Sequence, residues 1–362
     1  PEIIKKYGYP VEVHTITTKK NYILEFHRIP HGVSGPSKDR PAVFLQHGIL
    51  SSSADWLLAG TEKGFAYILA DAGYDVWMPN VRGTRYSRKH VDWDPDKNAK
   101  QFWDFSWHEI ATEDLPDLVD YVIEQTKQEK IFYIGHSQGT CVFYVMCAEK
   151  PEYNAKFRAM FSLAPIAYMK WMTSPLMRII AIAEGGMEFI LSLIGMYEFL
   201  PQNSFLGKLG EWFCSDGSIF QMLCTNSLFA VCGFNPAQMN ATLLPVIMGH
   251  TPAGSSTRQF LHFAQEVNSG KFRKYDYGAF KNMREYGSLS PPKYKLSKVT
   301  APINESGLLE EKNLDQEIPG PPGWRLRRWV CSPSLRKENL LQKIQVRSLA
   351  QSTKLIDDNT SW

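Results

Sequence analysis

The sequence predicts an α/β fold organised on a mostly parallel sheet with helices on both faces. Short apolar runs at Ala42-Val43-Phe44-Leu45 and Ile131-Phe132-Tyr133-Ile134 carry the prediction, with further strands at Tyr74 to Met78 and Ala159 to Leu163. Runs this short and this continuously apolar suit strands buried on both faces. Between them lie stretches with helical spacing, at Phe65 to Ala72, Trp107 to Gln125 and Thr140 to Ala148. Strands alternating with helices imply parallel neighbours, because a parallel pair needs a crossover. The 362 residues are 44% hydrophobic, enough to bury a large core, whether as one large domain or two smaller ones.

Each element has its own signal. Val11 to Ile16 and Tyr22 to Ile29 alternate and are rich in β-formers, which predicts a hairpin. A turn-rich break, His31-Gly32-Val33-Ser34-Gly35-Pro36, precedes the first buried strand, which runs out into Gln46-His47-Gly48-Ile49-Leu50. The helix from Phe65 closes near Gly73, and the next strand leads into Pro79-Asn80-Val81-Arg82-Gly83. Pro116 implies a boundary or kink within Trp107 to Gln125. Ala164-Pro165 stops the strand that ends at Leu163.

From about Tyr168 to about Tyr286 strand signals fade, and Met, Phe, Trp and Leu recur at mixed helical spacing. The expected division is therefore a core over residues 1–167, an inserted, mainly helical cap over 168–286, and a return to the core over 287–303. After Ile303 the character shifts again, with Pro319-Gly320-Pro321-Pro322-Gly323 as a breaker cluster and no strand–helix alternation. Residues 304–362 are expected to form a divergent, poorly ordered tail, leaving the sheet without its last strands.

A net charge of +3 provides no basic stripe, so nucleic acid is not an expected partner. The 13% aromatic content suits a wide apolar pocket, and equally a well-filled core. Met177 to Leu200 is the most apolar long stretch, but Glu184, Gly185, Gly186 and Glu188 interrupt it. It reads as an amphipathic cap or surface-active segment, and no transmembrane segment is expected. The chain opens at Pro1 with no charged-then-apolar leader, so a signal peptide is expected to be missing already. Cys141 and Cys147 have the setting of small buried hydrophobes. Cys214 and Cys224 could close a small ring, while the pairing of the six cysteines stays open. Asn240-Ala241-Thr242 is a glycosylation acceptor pattern, as are Asn304-Glu305-Ser306 and Asn359-Thr360-Ser361.

The chemistry concentrates at Gly135-His136-Ser137-Gln138-Gly139, between a buried strand and a helix. A Gly-x-Ser-x-Gly in that context turns the chain sharply and projects the serine hydroxyl at the carboxyl end of the sheet. The helix that follows points its free N–H groups at the same place, so the Gln138 N–H can hold the oxyanion of a tetrahedral intermediate. Ile49, after His47-Gly48, is the candidate second donor. The plainer alternatives are a structural turn at Ser137 and an ordinary strand-end turn at His47-Gly48. This serine chemistry needs no cofactor, and neither a metal cluster nor a phosphate loop is visible. On the first reading the chain is an α/β-hydrolase.

More of the chain supports a family. It resembles the acid lipases, the group of gastric and lysosomal acid lipases and their insect relatives. The resemblance rests on Tyr7-Gly8-Tyr9-Pro10, Arg28-Ile29-Pro30, Leu45-Gln46-His47-Gly48-Ile49-Leu50, Ala70-Asp71-Ala72-Gly73-Tyr74-Asp75-Val76-Trp77, Asn80-Val81-Arg82-Gly83, Gly135 to Thr140, Leu163-Ala164-Pro165 and Pro252-Ala253-Gly254-Ser255-Ser256. It implies hydrolysis of lipid esters, triacylglycerols or sterol esters, at a lipid–water interface in a secreted or lysosomal setting. It also implies a lid over the serine. By the same resemblance Ser137 is the nucleophile, Gln138 and Ile49 are the oxyanion donors, and Cys214 pairs with Cys224 while Cys232 stays free.

A serine nucleophile needs a base and an orienting acid, in the order Ser, acid, His in this fold. The nine histidines include none after His262, and neither the family's acid loop nor its His-x-Asp-Phe context is found beyond Ile303. His262 belongs to the cap and matches a non-catalytic family position. Asp315 lies downstream in unlike surroundings. His136 adjoins Ser137 on a tight turn and is expected to pack. The acid and base are therefore unassigned, and a non-catalytic lipid-binding or interaction protein of lipase lineage is the competing reading. The abrupt loss of match after Ile303 suggests a different exon, an intron read-through or a frame error.

Overall fold

The computed structural model describes residues 1–172, 174, 177–182, 191, 194–199 and 243–306. Its main sheet has eight strands: β1 (Glu12–Thr17), β2 (Tyr22–Ile29), β3 (Ala42–Gln46), β4 (Asp75–Pro79), β5 (Lys89–His90), β6 (Ile131–His136), β7 (Phe157–Leu163) and β10 (Ile303–Ser306). The spatial order is β1-β2-β4-β3-β6-β7-β10, with β5 beside β2. The β1–β2 hairpin and its neighbours β4 and β5 pair antiparallel. From β4 through β3, β6 and β7 to β10 every pairing is parallel.

The continuous apolar runs are explained by two cores, one on each face. Val43, Leu45, Val76, Met78, Phe132 and Ile134 point to one, under the helices α1 (Glu2–Lys6) and α2 (Phe65–Asp71). Ala42, Phe44, Trp77, Ile131 and Tyr133 point to the other. Each strand alternates sides with a period of two, so only a strand apolar at every position satisfies both cores. Phe44 stacks on Tyr133 across β3 and β6, with ring centroids 5.3 Å apart.

The second face is covered by α5 (Leu115–Thr126), α6 (Gln138–Glu149) and α8 (Thr257–Ser269). The expected helix over Trp107 to Gln125 is in fact three pieces. A short α4 (Trp107–Glu109), capped by Ser106 and Glu109, passes through a π-turn over Ile110–Asp114 into α5. Pro116 sits in the first turn of α5, immediately after the π-turn. The helices α3 (Ala99–Phe102), α7 (Leu244–Met248) and α9 (Ala279–Tyr286), an antiparallel pair, β8 (Glu198–Phe199) with β9 (Ser255–Ser256), and 3-10 turns at Ser53–Trp56, Pro151–Lys156 and Leu296–Lys298 complete the described elements.

The sheet pairing reaches three residues past Ile303. β10 runs to Ser306, with Ile303 beside Met160 and Ser306 beside Leu163. Its sequence hides it, because Asn304 is exposed and the strand is specified by pairing with β7 rather than by its own hydrophobicity. Pro302 precedes it, and its carbonyl accepts from Met160 N–H at 2.7 Å. Asn154 steers the chain there. Its Oδ1 accepts from Thr300 and Ala301 N–H at 2.7 and 3.0 Å, and its Nδ2 donates to Cys147 and Lys298 carbonyls at 3.1 Å.

Cys141 and Cys147 are free and buried in α6. Cys214, Cys224, Cys232, Cys331, Asn240, Asp315 and Asn359 lie outside the described residues. Among the described residues, no helix is long and apolar enough to cross a membrane.

Candidate active site

Ser137 stands between β6 and α6, with φ 53° and ψ −117°. An L-residue held there carries strain of about 1–3 kcal/mol and stays only where its surroundings over-determine it. Several bonds do so. Ser137 N–H donates to Leu163 O at 2.9 Å, and Ser137 O accepts from both Thr140 N–H (2.9 Å) and Thr140 Oγ1 (2.7 Å). Thr140 Oγ1 in turn accepts from Ile166 N–H at 2.9 Å.

The glycines are there for want of room. A Cβ on Gly135 would lie 2.7 Å from the carbonyl carbon and oxygen of Gly139. A Cβ on Gly139 would collide with the Gln46 carbonyl oxygen. Neither clash can relax by moving a side chain, because both partners are backbone. Gly48 brings the loop after β3 close in, since its missing Cβ would sit 3.1 Å from Ser137 Cβ.

That loop is pinned. His47 is buried; its Nδ1–H donates to Gly48 O at 2.8 Å, and its Nε2 accepts from Val81 N–H at 3.2 Å. Both ring nitrogens are thus occupied in the neutral form, and burial pushes the pKa down to about 4. Leu50 O accepts from Ala253 N–H at 2.7 Å, fixing the far end. Between these anchors Ile49 is half-buried. Among the described residues its N–H has no partner, and neither does that of Gln138, the first residue of α6. Ser137 and Gln138 are consecutive at the strained turn, and Gly48 brings the loop that carries Ile49 up against Ser137.

The remaining candidates separate clearly. His262 is fully buried in α8, stacked on Trp107 at a centroid distance of 3.7 Å. Its Nε2–H donates to Arg273 O at 2.9 Å and its Nδ1 lies 3.1 Å from Ser106 Oγ. Burial lowers its pKa to about 3. It packs, and no ring nitrogen is left for catalysis. His136 is exposed rather than packed, contrary to expectation, because it stands past the last strand positions that either core covers.

Among the described residues no side chain is hydrogen-bonded to Ser137 Oγ. The connectivity of a Ser–His–acid relay does occur elsewhere. His27 Nδ1 lies 2.7 Å from Ser53 Oγ and its Nε2 lies 2.8 Å from Glu25 Oε1. Ser53 is fully buried, so no ester reaches it, and the relay is an internal strut. Sequence reasoning also missed the Gln138 side chain, whose Nε2 donates to Gln259 Oε1 at 2.7 Å. The signal was absent because the partners are far apart in the chain.

Comparison with known proteins agrees with this geometry. Residues 1–60 match the family model for a partial alpha/beta-hydrolase lipase region, and residues 41–190 match that for the alpha/beta hydrolase fold. Lipase 3 of Drosophila melanogaster is 48% identical over 303 residues, 83% of this chain and 76% of its own. Gastric triacylglycerol lipase of Rattus norvegicus is 40% identical over 306 residues, with the same coverage of both chains. Lipase lipl-1 of Caenorhabditis elegans aligns at 34% identity over 363 residues, reaching 99% of this chain and 85% of its own. With a strand–serine–helix turn on a largely parallel sheet, and relatives this similar over this length, the chain belongs to the acid lipase family of α/β-hydrolases.

Proposed function

We propose that this chain is a lipid-ester hydrolase in which Ser137 is the nucleophile. The observation that carries the reading is the strained turn at Ser137, with the first N–H of α6 unbonded and the Gly48–Ile49 loop packed against it. Such a turn costs stability, and it supplies the arrangement acyl transfer needs. Ser137 Oγ attacks the ester carbonyl carbon, and its proton passes to a general base. The carbonyl oxygen becomes an oxyanion held by Gln138 and Ile49 N–H. Collapse expels the alcohol and leaves an acyl-serine, which water hydrolyses to the free acid. Removing one oxyanion donor typically costs about 2.7–4 kcal/mol in the transition state.

Lipid esters are the substrate class that lineage and surface favour. The curated relatives are named lipases, one of them a triacylglycerol lipase. Trp171, Ile179, Ile182 and Ile194 are exposed in the segment after β7, as suits contact with a lipid–water interface. Residues 168–286 are accordingly read as a cap, and 287–303 as the return to the core. A secreted or lysosomal setting fits the same lineage, with Cys214–Cys224 as a disulfide and Asn240 as a glycosylation site.

The test is direct. The whole chain and its Ser137→Ala variant are offered short- and long-chain esters at acidic and neutral pH. Hydrolysis that disappears in Ser137→Ala is the expected result, and equal rates for the two proteins overturn the reading. A second reading, a lipid-binding protein without turnover, is favoured by one observation: no described histidine bonds Ser137. Lipid binding by both proteins with hydrolysis by neither would select it.

A further inference from the structure

The turn at Ser137 is tied to a helix far away in the chain. Gln138 is almost fully buried, and its side-chain Nε2 donates to Gln259 Oε1 at 2.7 Å across 121 residues of sequence. Gln259 lies in the first turn of α8, and its own Nε2 donates to Ser255 Oγ at 2.7 Å. The next residue, Ser256, donates from Oγ to Phe105 O at 2.5 Å. Gln259, Ser255 and Ser256 are all buried. The Gln138 Oε1 has no partner, so the bond to Gln259 is that side chain's one anchor among the described residues.

We propose that Gln259 is a positioning residue for the oxyanion hole. It acts through the Gln138 side chain on the Gln138 N–H. The inference rests on the hydrolase reading above and adds to it a residue from outside the turn. A buried amide that loses its one bond must find another partner or stay unsatisfied. Within the turn, the acceptors and donors that hold Ser137 are already engaged, so Gln138 can re-pair only by displacing them. The strain at Ser137 survives through such over-determination, and α8 contributes part of it from outside. His262 stacked on Trp107, with Phe260 and Phe263 in the core, holds α8 down one turn further on. The geometry of the oxyanion hole is therefore coupled to the docking of α8. A helix that lifts releases the Gln138 side chain, and a helix that seats re-forms the hole.

The experiment is a double-mutant cycle on the full chain, using Gln259→Leu, Gln138→Leu and the pair together, with p-nitrophenyl butyrate below its solubility limit as substrate. Each single change is expected to lower kcat by roughly five- to tenfold with KM held within about twofold. The pair is expected to be no worse than either single change, because both break the same bond. Gln259→Glu keeps the oxygen that accepts from Gln138, and is expected to recover kcat to within about threefold of the parent. An unchanged kcat, multiplicative losses in the pair, or losses that follow KM and melting temperature without rescue by Gln259→Glu each overturn the proposal.

If the parent shows no Ser137-dependent turnover, the hydrolase reading falls, and hydrogen exchange decides the coupling alone. Gln259→Leu must then speed exchange of the two bonded amides of the turn, Ser137 and Thr140, by about tenfold or more while leaving β3 unchanged. Unaltered exchange at those amides overturns it.

Discussion

At Ser137 the backbone and the hydroxyl make opposite demands. The conformation at φ 53° costs energy that glycine would not pay, and the hydroxyl bonds to no described residue. Ser137→Gly is therefore expected to raise stability by about 1 kcal/mol, once the greater freedom of an unfolded glycine is discounted. The same change abolishes hydrolysis. Chemical denaturation read beside ester turnover checks both halves, and a destabilised Ser137→Gly would show that the turn is relaxed. Much of this site was legible in the sequence. Gly135, Ser137 and Gly139 announce the turn because backbone-to-backbone clashes leave few alternatives. The Gln138–Gln259 bond was not legible, because an amide pair has no periodicity and its partners meet only when α8 docks.

Among the elements, α8 buries five polar side chains: Thr257, Gln259, His262, Gln265 and Glu266. Among the described residues neither carboxylate oxygen of Glu266 has a hydrogen-bond partner, and burial pushes its pKa well above the ordinary range. The folded chain thus binds that proton more tightly than the unfolded one, where a glutamate titrates near about 4.3. The contribution is most favourable at and below that value, declines as pH rises, and is fully lost above the folded pKa. His262 works the other way. Its folded pKa of about 3 lies below the value near 6.5 of an unhindered imidazole, so its contribution is lost as pH falls between the two. Melting temperature followed from pH 4 to pH 9 is expected to decline less steeply on the alkaline side in Glu266→Gln than in the parent. Parallel curves would show Glu266 to be ionised in the fold.

For the molecule as a whole, the sheet was readable wherever a strand is buried on both faces, as at Val43, Phe44, Phe132 and Tyr133. It was not readable at β10, whose four residues are polar apart from Ile303 and are placed by β7. The join between these parts is Asn154, which receives Thr300 and Ala301 N–H and donates to the Cys147 and Lys298 carbonyls. Asn154→Ala leaves those backbone groups unpaired and is expected to cost about 2–3 kcal/mol. Faster proteolysis between Lys298 and Pro302, with the Ser137 turn still protected, is the accompanying signature. A loss under about 0.5 kcal/mol would show that water replaces the amide freely.

The cramped walls of the turn also bear on how such a chain can change over generations. Gly135 and Gly139 answer to packing, so any descendant that keeps the fold keeps them, whether or not it still acts on esters. The hydroxyl at position 137 answers to no neighbour in the described structure. A lineage that gave up hydrolysis would be free to shed it first, gaining stability in the exchange, so of those three residues the serine alone is a record of chemistry.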